Sequence, residues 1–123
     1  VEHCKELSLS WEWDERLSAA LAVVEDPNHH TLLERVEAVL TTSYDHQSIA
    51  EASETARAIA DLPGGVWPGQ RLFMLDPDSD PALFALWWPW GNGVVFSLRV
   101  GCLSRDPKTA EQSKALLRKM FSV

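Results

Sequence analysis

Apolar and polar residues alternate strictly along the second half of the chain. Residues 94–102 put Val94, Phe96, Leu98, Val100 and Cys102 on one face and Val95, Ser97, Arg99 and Gly101 on the other, a strand with one dry and one partly wet side. An aromatic-rich run, 83–90, precedes it across Gly91-Asn92-Gly93, a triplet suited to the positive φ values of a tight reversal, so 83–103 reads as a β-hairpin. Trp87, Trp88 and Trp90 give rings to both faces of the first run. Pro89 has no N–H to donate and predicts an edge strand or a bulge there.

Residues 5–13 alternate in the same way, with Leu7, Leu9, Trp11 and Trp13 to one side and Glu6, Ser8, Ser10 and Glu12 to the other, which predicts another strand. From Asp14 the spacing changes. Leu17, Ala20, Leu21 and Val24 recur at helical intervals behind Asp14 as N-cap and predict a helix ending before Asp26-Pro27-Asn28, although 21–24 also reads as a short buried strand. A second helix is predicted from about His29 to Thr41, with Leu32, Leu33, Val36, Val39 and Leu40 inward and Glu34, Arg35 and Glu37 outward. A third, capped by Asp45 or Ser48, runs to about Leu62 on a face of Ile49, Ala52, Ala56 and Ile59, and Pro63-Gly64-Gly65 ends it. A strand at 70–75 and the turn formers of 76–81 then lead into the hairpin. Asp106-Pro107, an N-cap followed by proline in the first turn, opens a final helix to about Phe121. The predicted order is β-α-α-α-β-β-β-α. It describes a single α+β domain over 1–123, an antiparallel sheet of three or four strands with helices packed mainly on one face.

At 123 residues, 46% hydrophobic and 24% charged, the chain has the balance of one ordinary globular domain, which argues against disorder and repeats. No apolar run approaches the length of a membrane span, and no apolar segment follows the N-terminus as in a signal peptide. With Cys4 and Cys102 as the two cysteines, this predicts a reducing, cytoplasmic setting and no membrane partner. Charge adds more. Residues 1–69 hold 13 acidic against 4 basic side chains, a balance of −9, whereas 70–123 hold 5 against 7, a balance of +2. Such a field disfavours nucleic acid and speeds encounter with a basic partner protein.

No nucleophile elbow, phosphate loop, dinucleotide fingerprint or zinc-protease motif is present, so no catalytic residue and no cofactor is assigned. His3, Cys4 and the adjacent pair His29-His30 lack metal-ligand spacing. Asp76, Asp78 and Asp80 are interrupted by Pro77 and Pro81 and lack the glycine and final glutamate of a calcium loop, so no metal site is expected.

The unusual feature is six tryptophans. Core packing absorbs about three of them, with Trp11 or Trp13 and Trp88 the natural choices. Trp67, Trp87 and Trp90 are then expected near the surface as partner anchors, with Glu34, Glu37, Glu51 and Glu54 as steering charges. That predicts a small acidic protein-binding domain whose partner carries a basic surface. Toxin-neutralising immunity proteins and chaperones or adaptors share its size and acidity, a likeness of composition alone. The alternative is a small-molecule-binding domain or minor enzyme, in which Trp67, Trp87, Trp88 and Trp90 line an apolar pocket and Arg99 and Gln70 supply polar contacts. A homodimer through the strand containing Pro89 would bury the same rings.

Overall fold

The computed structural model describes residues 10–25, 29–76, 78–89 and 95–123. Trp11–Asp14 (β1) and Ala19–Glu25 (β2) form a hairpin, and His29–Val39 (α1) leads to Thr42–Tyr44 (β3). A 3-10 turn at Ile49–Glu51 precedes Glu54–Asp61 (α2); then come Arg71–Met74 (β4), Ala82–Pro89 (β5), Val95–Leu103 (β6) and Pro107–Phe121 (α3). The six strands make one antiparallel sheet in the order β1-β2-β6-β5-β4-β3. Strands β3 to β6 are a meander, and the first hairpin docks β2 on the free side of β6. Among the described residues, no helix is long and apolar enough to cross a membrane.

Alternation along the strands produces two cores. On one face Ala20, Val24, Phe73, Ala85, Trp87, Leu98 and Val100 are buried beneath Val36 of α1, Leu40 just after it, and Leu117 and Phe121 of α3, with Phe96 and Cys102 at the margin. The face expected for β6 therefore shares its core with both Val36 and Leu117. On the other face Ala19, Leu72, Met74, Ala82, Phe84 and Leu86 pack against Ala56, Ile59 and Ala60 of α2, and Leu17 tucks in from the β1–β2 turn. Each fully buried Phe, Leu or Ile contributes about 1.5–3 kcal/mol, so neither layer is dispensable. Gly101 belongs to this second core for a steric reason. It pairs with Phe84 across the β5–β6 ladder, and a Cβ there would lie 2.7 Å from the Phe84 ring.

The expected sheet of three or four strands covered mainly on one face, in the order β-α-α-α-β-β-β-α, is thus corrected to six strands with helices on both faces. Two added strands account for the difference in the sheet: β3, which pairs with β4 where a link between helices was expected, and β2. Residues 19–25, expected to continue a helix from Asp14, form β2, because that segment is hydrogen-bonded on both sides, to β1 and to β6. Asp14 does accept from the N–H groups of Arg16 and Leu17, at 3.0 and 3.3 Å, but it closes a turn and not a helix. The expected third helix is divided. Asp45 accepts from Gln47 and Ser48 in a closed local turn, and α2 starts afresh with Ser53 as N-cap, its hydroxyl accepting from the Ala56 N–H at 3.2 Å. Pro89 is corrected as well. Its strand is internal, with β4 on one side and β6 on the other, and not the edge strand expected. Pro89 is tolerated because β4 begins at Arg71, opposite Trp87, and leaves the end of β5 flanked by β6 alone.

Candidate functional site

The most exposed aromatic side chain among the described residues is built into a small rigid loop. Helix α2 ends at Pro63-Gly64-Gly65, where the Gly65 N–H returns to the Ala60 carbonyl at 2.8 Å. Val66 then packs against the second core, and Trp67 turns outward with 63% of its surface exposed. The Trp67 N–H donates to the Gln70 side-chain oxygen and the Gln70 N–H donates to the Trp67 carbonyl, both at 2.9 Å. Between them Pro68 fixes a backbone angle. Gln70, expected as a ligand contact, thus clamps the loop. A Cβ at Gly69 would lie 3.4 Å from Pro89, which puts this loop beside the end of the β5–β6 hairpin. Trp90 and the hairpin turn lie outside the described residues, as do His3 and Cys4 and the side chains of His29 and His30.

The other described tryptophans serve packing. Trp87, expected as a surface anchor, is 4% exposed and stacks on Phe96 at 5.2 Å in the first core. Both faces of β5 are covered, so neither parity of that strand reaches solvent at this position. Trp11 rests against Phe121 at 4.4 Å, and Trp13 lies under the Arg118 guanidinium at 5.0 Å.

Trp88 and Arg99, expected as ligand contacts, are brought together, but they fill one another's contact surfaces. The Arg99 guanidinium lies 4.1 Å from the Trp88 ring centroid, its Nε donates to Asp14 Oδ2 at 2.7 Å, and its Nη1 donates to Ser97 Oγ at 3.2 Å. Side-chain exposure is only 17% for Arg99 and 14% for Asp14. Burial pushes the Asp14 carboxyl up, but the Arg99 guanidinium and the Leu17 and Arg16 N–H groups outweigh it and hold the carboxyl below its ordinary value. This network ties the first hairpin to the central strands. Asp14 was legible only as a cap, and no local signal marks its pairing with a residue so distant in the chain.

The four candidate steering carboxylates are exposed, but they divide between the two faces. Glu34 and Glu37 ride on α1 over the first core. Glu37 accepts from Arg71 at 2.7 Å, and the same guanidinium donates to Ser43 at 3.0 Å. Glu51 and Glu54 stand on the opposite side, in the 3-10 turn and α2. Two clefts flank α2 there. One, of about 430 Å³, lies between the helix start, the 78–80 loop and Ser104-Arg105. The other, of about 570 Å³, lies between α2, Ile49-Ala50 and Gly65-Val66. Cys102 is a free thiol at the margin of the first core, and burial pushes its pKa up, the environment of an unreactive cysteine. Among the described residues no three His, Cys, Asp or Glu side chains are grouped so as to hold a metal ion.

No family model matches this chain, and no curated protein or solved structure is significantly similar to it.

Proposed function

We propose that this chain acts by binding another protein, with the Trp67 loop as the anchor of the interface. One observation carries the reading: an indole left 63% exposed on a loop clamped by two reciprocal hydrogen bonds at 2.9 Å. A large aromatic presented in this way loses little conformational freedom on binding, and such residues dominate interface energies. The lopsided charge supports a partner with a basic surface. A toxin-neutralising immunity protein and an adaptor or chaperone, acting in the cytoplasm, both fit this description. The alternative of a tryptophan-lined small-molecule pocket gains no supporting observation, because the Trp88 ring carries Arg99 and Gln70 is engaged with its own loop.

A photoreactive phenylalanine analogue at position 67 tests the reading in cells of the source organism. A discrete adduct is expected at position 67 and none at Leu116, an exposed apolar residue of α3 on the opposite face. With the partner in hand, Trp67→Ala should weaken binding about thirtyfold, the equivalent of about 2 kcal/mol at an interface anchor. Adducts that are absent, or equal at both positions, would remove Trp67 as an anchor.

A further inference from the structure

We infer that the partner's seat is the pair of clefts flanking α2, and that it receives a basic segment carrying bulky apolar side chains. The inference rests on the protein-binding reading and assigns to it a place and a chemistry. Glu54 and Ala58, one turn apart on α2, line both clefts, so the helix is a ridge between two adjoining grooves. The floor of the larger groove is apolar or small, with Ile49, Ala50, Ala60 and Val66. Val66, which lines it, directly precedes the exposed Trp67, and Leu62, next to the lining residue Asp61, is exposed as well.

Charge decides what fits. Of the residues lining the two clefts, Glu54, Asp61, Asp78 and Asp80 are acidic, against Arg57 and Arg105. Arg105 meets Glu54 only at 3.8 Å, with both side chains well exposed, so it neutralises little. Glu37 on α1, by contrast, is satisfied by Arg71 at 2.7 Å. On the opposite face α3 is basic, carrying Lys108, Lys114, Arg118 and Lys119 against Glu111. An occupant with cations for Glu54, Asp61, Asp78 and Asp80 and an apolar side chain beside Trp67 and Leu62 complements the acidic excess and the exposed apolar groups. Nucleic acid and anionic lipid are repelled by it. A second copy of this chain could offer its basic α3, but that contact is heterologous and would build a ring or an open chain rather than a two-fold dimer.

Two labelled synthetic peptides serve as probes, one of leucine and lysine with the leucines at helical spacing, the other with glutamate in place of lysine. Fluorescence anisotropy should show the lysine peptide binding, more weakly as salt rises, and the glutamate peptide not binding. Glu54→Lys with Asp61→Lys should weaken the lysine peptide about tenfold or more. Glu12→Lys with Glu15→Lys, an equal change in net charge elsewhere, should alter it less than about twofold. Equal weakening by the two pairs would reduce the effect to net charge and overturn the inference, as would binding of the glutamate peptide or no binding of either. Sedimentation that shows concentration-dependent self-association abolished by the Glu54 and Asp61 reversals would hand the seat to a second copy, and also overturns it. The crosslinker keeps the two readings separable: adducts at position 67 with none at position 58 leave protein binding standing and remove the α2 seat.

Discussion

Replacing Arg99 with Met retains the aliphatic stem over Trp88 but deprives Asp14 of its cation. At an effective dielectric near 20, charges about 4 Å apart attract by about 4 kcal/mol, and desolvation of both groups cancels much of that. The pair therefore stabilises little in net terms, whereas one abandoned partner costs about 3–5 kcal/mol when buried. Asp14, 14% exposed, keeps two N–H donors from its own turn, at 3.0 and 3.3 Å. That places Arg99→Met at the low end, about 3 kcal/mol. Asp14→Asn retains the turn acceptor, so the double variant Asp14→Asn/Arg99→Met should recover most of the loss, a coupling of about 2 kcal/mol. Urea denaturation midpoints measure all three. The pH dependence adds a second check. Because the folded protein holds the Asp14 pKa below its ordinary 3.8, this carboxylate contributes stability above that value and loses it as pH falls through the folded one. Without Arg99 the side-chain hydrogen bond and the cation that lower the pKa are gone, so the folded pKa of the variant lies above that of the wild type and the variant loses less stability on acidification. The gap between wild type and Arg99→Met should thus narrow from about pH 7 to about pH 3. A gap that stays constant, or a double variant as unstable as the sum of the singles, would refute the ion pair as the link between the first hairpin and the sheet.

Leu98 is fully buried between α1, α3 and the sheet, so Leu98→Ala should cost about 2–5 kcal/mol by denaturant titration, and an unchanged midpoint would contradict its place in the core. Gly101→Ala drives a methyl into the Phe84 ring and should cost about 1–3 kcal/mol, partly recovered by Phe84→Leu, which removes the collision. Ser53→Ala removes the α2 N-cap and should cost about 1 kcal/mol, recovered by Ser53→Asp.

The elements legible in the sequence are those whose specification is local. Asp106 caps α3 through the Thr109 N–H, Pro107 occupies the first turn, and Arg118 and Lys119 fall in the last, all within one continuous segment. Strand β6 is legible because its alternation matches real faces on both sides. What failed was decided by distant neighbours. The sheet acquires β2 from β1 on one side and β6 on the other, and the latter partner begins 70 residues downstream of Glu25, which pairs with Val95. Trp67 was legible as a surface ring because proline and glycine surround it. Trp87 was not, because its exposure depends on whether α1 covers that face of β5, and no residue near Trp87 encodes this. The acidic half was legible as a count, but its division between α1 and the α2 face follows from the chain crossing the sheet after β2.

The segment 14–25 poses the sharpest conflict between local preference and tertiary setting. Ala19, Ala20, Leu21 and Ala22 are good helix formers, and alanine is depleted in strands. A peptide of residues 14–25 should therefore turn helical in trifluoroethanol, as circular dichroism would show. In the folded chain the alanines have a different use. Ala20 lies opposite Trp13 and Val100, and Ala22 lies opposite Trp11 and Leu98, with each alanine buried between a large ring and a branched side chain. Trp11 is itself held against Phe121 of α3 at 4.4 Å, so the space above Ala22 is closed. Ala22→Val raises strand propensity by no more than about 1 kcal/mol, while the added methyl groups overpack a filled layer at a cost of about 1–3 kcal/mol. The variant should be less stable than the parent. If it is more stable, propensity outweighs packing at this position, and the small residues of β2 are not what lets Trp11 and α3 close over the sheet.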